Sequence, residues 1–287
     1  MNTSPDTIAR ILVGVDASEN SVRAADWAAS LAVSLGARLT LAHALDLPDT
    51  DPSARSAETS GYRERRHHAG ERILSRMTTR ISERHPGLTV DTELSAPDPA
   101  QALALLAQDA DLLVTGTRGH GGFTGMLLGS VSNKLAAHAP CPVIVIGVDT
   151  AYETSRELVL GLGEDDAPAP IEFAFRIADL LGLSVRTVRV FEPVVAYGGY
   201  HEQAPQAVAD DLDAALEPVR KQYPNVPATV EPRQGVPVPT LVQAALSARL
   251  LVVGSHRSRG PLSFGPGHIV HGLLSYSVVP VAVVPIQ

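Results

Sequence analysis

A chain of 287 residues with 45% hydrophobic and 19% charged side chains carries apolar material for two ordinary domain cores, which excludes a largely disordered chain. Its formal net charge of −8 repels nucleic-acid phosphate over most of the surface, while a small anion held by local backbone dipoles stays possible. One cysteine, Cys141, excludes an internal disulfide; with no apolar signal core before Arg10 and no bilayer-length apolar run, a cytoplasmic protein with no membrane or nucleic-acid partner is expected.

Ile11–Val15 is a short apolar run ending at Asp16 and is predicted as a buried strand. Ser18–Leu35 follows with Val22, Ala25, Ala28, Ala29 and Ala32 at helical spacing, closed by Gly36. Arg38–Leu45 reads as a second strand, the polar stretch Pro48–Gly61 as a loop, Arg63–Arg84 as a helix and Leu88–Leu94 as a strand. Ala100–Gln108 is helical, entered through Pro99, and Asp111–Thr115 is a strand. A Gly-rich loop, a helix ending near His138 and the strand Val143–Ile146 complete the unit.

The same order then recurs. Strands are predicted over Leu158–Leu162, Val185–Phe191, Ala228–Glu231, Leu250–Val253 and Val281–Val284, with helices over Ile171–Leu181, Ala207–Gln222, Leu241–Ser247 and His268–Ser277. Gly116, Gly129 and Pro142 return as Gly254, Gly267 and Pro280, each 138 residues later, and Gly14 returns as Gly161, 147 residues later. Two domains, 1–150 and 151–287, are therefore expected. Alternating strands and helices imply an α/β fold, each domain a five-stranded parallel sheet with helices on both faces. Strand order 3-2-1-4-5 would place a ligand crevice beyond strands one and four, where Asp16 and Gly116 stand.

The informative segment runs from Gly116 to Ser130: Gly116, two residues, Gly119, nine residues, Gly129, Ser130. Gly116 and Gly119 allow the backbone to approach a phosphate chain and to turn successive amides inward. Gly129 and Ser130 fall near the start of the last helix, where free amides and the helix dipole favour anions. Arg118 and His120 lie inside the loop, either reaching phosphate or solvated. Asp16 would repel phosphate, so it suits the end of a ligand remote from its phosphates; Mg²⁺ ligation and a plain helix-cap or turn role are its other uses.

This spacing resembles that of the ATP-binding branch of the universal stress protein family. Val13-Gly14-Val15-Asp16-Ala17-Ser18, Gly129-Ser130-Val131-Ser132 and Pro140-Cys141-Pro142-Val143-Ile144-Val145 match as well, and the likeness spans nearly the whole chain. The resemblance implies an ATP site, with Mg²⁺ a candidate companion, formed by Gly14, Val15, Asp16, Ala44, Gly116, Thr117, Arg118, Gly119, His120, Gly129, Ser130, Val131 and Ser132. Val15 and Ala44 match positions lining the adenine pocket, although on sequence alone they serve equally well as core residues. In single-domain relatives two copies join through their last strands, which implies an internal pseudo-dimer of Val143–Ile146 with Val281–Val284; a homodimer of whole chains is a further possibility.

In the second copy Gly163 replaces Asp16, Arg257 replaces Gly119 and His268 replaces Ser130, while Gly254 and Gly267 remain. That site is expected to be empty or weak, although Arg257 could still pair with a phosphate. The chain has no Walker lysine, zinc-ligand spacing, nucleophile elbow or evident general base. The expected function is a stress-response regulator that binds ATP in its N-terminal domain and acts on an unidentified protein partner. The alternatives are an adenine-nucleotide hydrolase with slow turnover and a nucleotide-free interaction module. His67 and His68 are adjacent, and adjacent helical residues do not share a face, so no metal site is expected there.

Overall fold

The computed structural model describes residues 7–45, 57–95, 98–119, 128–147, 154–163, 167–191, 194–196, 199–201, 205–256 and 266–286. The chain divides into two compact units, Met1–Ile146 and Gly147–Gln287. Among the described residues no helix is long and apolar enough to cross a membrane.

The first unit holds strands β1 (Arg10–Gly14), β2 (Arg38–Ala44), β3 (Val90–Ser95), β4 (Leu112–Gly116) and β5 (Val143–Ile146). They pair in parallel in the order β3-β2-β1-β4-β5. Helices α1 (Glu19–Leu35) and α2 (Ala57–Arg84) pack together on one face, and α3 (Pro99–Leu106) and α4 (Ser130–His138) on the other. With both faces covered, β1, β4 and β5 are apolar almost throughout, and Val13, Leu112, Leu113 and Ile144 are wholly buried.

Local chemistry sets the ends of α1. Ser18 caps it by accepting the Ser21 N–H, and Gly36 ends it in the left-handed region at φ 64°. Ala24, Ala25, Ala28, Ala29 and Ala32 are buried, and their small side chains let this helix lie close on the sheet. Asp98 caps α3 through the N–H groups of Ala100 and Gln101, with Pro99 at the first helical position.

The second unit has the same plan. Strands β6 (Glu157–Gly161), β7 (Ser184–Phe191), β10 (Ala228–Gln234), β11 (Leu250–His256) and β12 (Val281–Ile286) run in parallel in the order β10-β7-β6-β11-β12. Helices α5 (Pro168–Leu181) and α6 (Pro205–Gln222) form one layer, α7 (Pro237–Ala245) and α8 (His268–Tyr276) the other. A short antiparallel hairpin, β8 (Val194–Ala196) with β9 (Gly199–His201), precedes α6 and is absent from the sequence-based reading.

Of the boundaries that differ from expectation, three show their physical reasons plainly. Helix α2 starts at Ala57, inside the stretch read as loop, because Ala57 and Glu58 are strong helix formers beyond the last proline, Pro52. Helix α7 starts at Pro237 rather than Leu241, since a proline at the first helical position lacks only an N–H that would go unused. Strand β10 continues through Pro232 because it lies at the edge of its unit's sheet, where a missing donor costs little.

Candidate functional site in the N-terminal unit

The pairing of β1 with β4 sets Val13 beside Val114. Continuing that register brings Asp16 level with Thr117 at the carboxyl ends of both strands. The strand order reverses here, which is where open α/β sheets bind their ligands. The chain leaves β1 through a tight turn: Asp16 Oδ1 accepts the Ser18 N–H at 3.0 Å, and the Asp16 N–H reaches Ser21 Oγ at 3.2 Å. Between them Ala17 has φ 65°, the one non-glycine in the left-handed region among the described residues. A residue with a Cβ is strained there, and such strain concentrates at functional turns.

The two stems of the Gly-rich segment are clamped to each other and to α1. The Gly129 N–H donates to the Thr117 carbonyl at 2.7 Å, and the Thr117 N–H donates to Ile146 at 3.0 Å. The Ser132 hydroxyl donates to the Gly116 carbonyl at 2.6 Å, and the Ser18 hydroxyl to the Arg118 carbonyl at 3.3 Å. Gly129 is the N-cap of α4 at φ −76° and ψ 155°, and no side chain caps that helix. Among the described residues no side chain therefore caps the amides of its first turn. Beside them the Thr117 hydroxyl is buried and has no partner among the described residues, as is true of Arg118 Nε.

The glycines differ in what they permit. A Cβ on Gly116 would stand 2.8 Å from the carbonyl carbon and oxygen of Asn20, so this glycine admits the first turn of α1. A Cβ on Gly129 would meet the Thr117 carbonyl oxygen at 3.2 Å and Arg118 Cα at 3.4 Å, so this one admits the clamp between the stems. A Cβ on Gly119 would collide with Asp16 Oδ2, which places the carboxylate directly against the exposed Gly119 backbone. Gly14 is a packing position: its Cβ would stand 2.8 Å from Leu103 Cδ1 on α3.

Of the other expected residues, Val15 is buried at 4% exposure and Ala44 is half-buried at the end of β2. Ser130 is exposed at the first position of α4, Val131 is half-buried, and Ser132 is buried with its hydroxyl spent on Gly116. His120 lies outside the described residues. The structure thus brings Asp16, Thr117, Arg118, Gly119, Gly129 and Ser130 to one end of the sheet.

Sequence reasoning missed His43, whose Nδ1 lies 2.7 Å from the Val15 carbonyl oxygen. Histidine at the end of a strand is a weak signal, and only the pairing of β1 with β2 reveals its target.

The equivalent place in the second unit is built differently. Gly163 supplies no carboxylate where Asp16 stands in the first unit. Ser255, the counterpart of Thr117, is buried and donates to the Pro266 carbonyl at 3.4 Å. The cap of α8, Gly267, sits at φ 84° where Gly129 sits at −76°, so the turn into the last helix is a different one. Arg257 lies outside the described residues.

Comparison with known proteins agrees with this duplicated plan. The model of the universal stress protein family matches residues 7–147 and again residues 155–285. A universal stress protein of Mycolicibacterium smegmatis is 32% identical over 286 residues, which cover 96% of this chain and 96% of that protein. One from Mycobacterium tuberculosis is 31% identical over 286 residues, covering 95% and 96% respectively. The crystal structure of a universal stress protein from Archaeoglobus fulgidus superposes with a TM-score of 0.75 at 17% identity, over 98% of this chain and 97% of that one, a likeness of fold alone. Matched end to end, and matched twice by one domain pattern, the chain belongs to the universal stress protein family in a tandem, two-domain form.

Proposed function

We propose that the N-terminal unit binds an adenine nucleotide, ATP in particular, and that the protein is a nucleotide-responsive regulator of a stress response. The observation that carries this reading is the start of α4. An uncapped helix N-terminus opens beside a buried Thr117 hydroxyl that has no partner among the described residues. Backbone amides and the dipole favour a polyphosphate there, and the exposed Ser130 hydroxyl adds a donor.

Asp16 faces the Gly119 backbone on the β1 side of the crevice. In this reading it accepts from a ribose hydroxyl or the adenine amino group, with Val15 and Ala44 as apolar neighbours. A Mg²⁺ ion bound with the triphosphate would take most of its ligands from phosphate and water, and the Ser130 hydroxyl is the protein group at that end suited to it. Donors that hold ground-state ATP do not in themselves speed its hydrolysis, so the arrangement serves binding rather than turnover. The C-terminal unit holds no nucleotide in this reading, since Gly163 brings no carboxylate and the Ser255 hydroxyl is already engaged.

Calorimetric titration of the full chain with ATP tests the proposal. One site per chain is expected, weakened at least tenfold by Asp16→Ala and by Gly119→Ala; a micromolar site corresponds to about 8 kcal/mol. No binding by the wild type, or the same affinity in all three proteins, would overturn it.

A further inference from the structure

On α2 the carboxylate of Glu71 stands between two imidazoles. His67 Nδ1 is 3.4 Å from Glu71 Oε1, and His68 Nδ1 is 3.0 Å from Glu71 Oε2. The two rings meet edge to face with centroids 6.3 Å apart. One ligand atom from each of the three residues lies within 4.8 Å of the other two. This differs from the sequence-based expectation, which considered only the divergence of neighbouring residues on a helix. Glu71 follows His67 by four residues and His68 by three, and both spacings bring side chains together on a helix surface. The shared partner draws both rings to one carboxylate.

We propose that His67, His68 and Glu71 form a binding site for a divalent first-row transition metal such as Zn²⁺ or Ni²⁺, completed by water. Two imidazole nitrogens and a carboxylate oxygen suit these ions, whereas Mg²⁺ and Ca²⁺ prefer all-oxygen sets. The separations of 3.4 Å to Oε1 and 3.0 Å to Oε2 are of the size of the edges of a coordination shell whose metal–ligand bonds are about 2.0–2.2 Å, with the carboxylate chelating through both oxygens and the two imidazoles closing on the ion. All three side chains are more than half exposed, so a hydrated ion can approach without any rearrangement of the core.

Ligation has a defined proton balance. His68 Nδ1 donates its hydrogen to the carboxylate, so a metal at that nitrogen requires the hydrogen to move to Nε2, and the ring stays neutral. Arg63, Arg65, Arg66 and Arg72 outnumber Glu64 and Glu71 on this stretch of helix. Their repulsion holds the site below the affinity of a closed four-ligand zinc site, and added salt strengthens binding by screening it.

The experiment uses the untagged full-length chain without nucleotide, titrated with Zn²⁺ by calorimetry and with Ni²⁺ while imidazole resonances are followed by NMR. The expected result is a site with Kd below about 100 μM, with His67 and His68 broadened first and Mg²⁺ without effect. His67→Ala and Glu71→Gln should each weaken it at least tenfold, while the melting temperature of the metal-free protein stays put because both groups are solvent-facing. Absence of a site tighter than about 100 μM overturns the proposal, as does binding that survives intact in the His67→Ala/His68→Ala double variant. Neither outcome depends on whether the chain binds ATP.

Discussion

His43 Nδ1 lies 2.7 Å from the carbonyl oxygen of Val15. A carbonyl can only accept, so this nitrogen carries the hydrogen. The imidazole takes the acceptor that the next rung between β1 and β2 would use, one step beyond the Val15 N–H bond to Ala42 at 2.8 Å. It thereby holds the peptide that immediately precedes Asp16. Gly70 on α2 makes room for the ring, since a Cβ there would stand 2.9 Å from His43 Cδ2.

Replacing His43 with leucine should therefore act on stability and on ligand geometry together. Loss of the donor should cost about 1–2 kcal/mol in chemical denaturation. Adenosine affinity should fall more than affinity for inorganic tripolyphosphate, because Asp16 belongs to the nucleoside end of the proposed site. His43→Asn keeps an N–H donor and should recover part of both losses. Equal losses for the two ligands would assign His43 a purely structural part.

Asp16 and Gly119 should be energetically coupled even without a ligand. Gly119→Ala drives a methyl group into the Asp16 carboxylate, and Asp16→Ala removes the obstacle. The double variant should then be more stable than the sum of the single changes predicts, by about 1 kcal/mol. Urea denaturation of the four proteins measures this, and simple additivity would count against the close approach.

The two neighbouring glycines should rank in a definite order. Gly116→Ala meets the backbone of Asn20, which cannot move without shifting α1. Gly14→Ala meets only the end of the Leu103 side chain, which can rotate. Gly116→Ala is expected to cost about 1–3 kcal/mol and Gly14→Ala distinctly less, read from the same denaturation curves.

Cys141 should be inert in the folded protein. Burial, and then the nearby Asp111 carboxylate, push its thiol up to about 12. The unfolded chain ionises near the ordinary thiol value of about 8.5, so the unfolded state releases a proton first and stability falls as pH rises between the two values. Alkylation at pH 8 should therefore track global unfolding, with protection removed only in denaturant. Rapid labelling of the native protein would contradict that burial.

Much of the architecture is legible in the chain itself. Apolar strands flanked by Asp16 and Gly116, alanines at helical spacing in α1, and the return of Gly116, Gly129 and Pro142 at one offset dictate two similar α/β units, because periodicity and glycine placement are local properties of the backbone. Boundaries such as those at Ala57, Pro237 and Pro232 moved where a proline or a helix former has a meaning that depends on its place at a helix start or sheet edge.

The chemistry of particular side chains was decided only in three dimensions. That Ser132 spends its hydroxyl on Gly116, that His43 holds Val15, that Gly116 serves the approach of Asn20, and that Glu71 gathers two neighbouring histidines are facts about partners. A residue's type announces what it can donate or accept. Which group stands within 3 Å of it is set by strand order and helix packing, which bring together positions far apart in the chain.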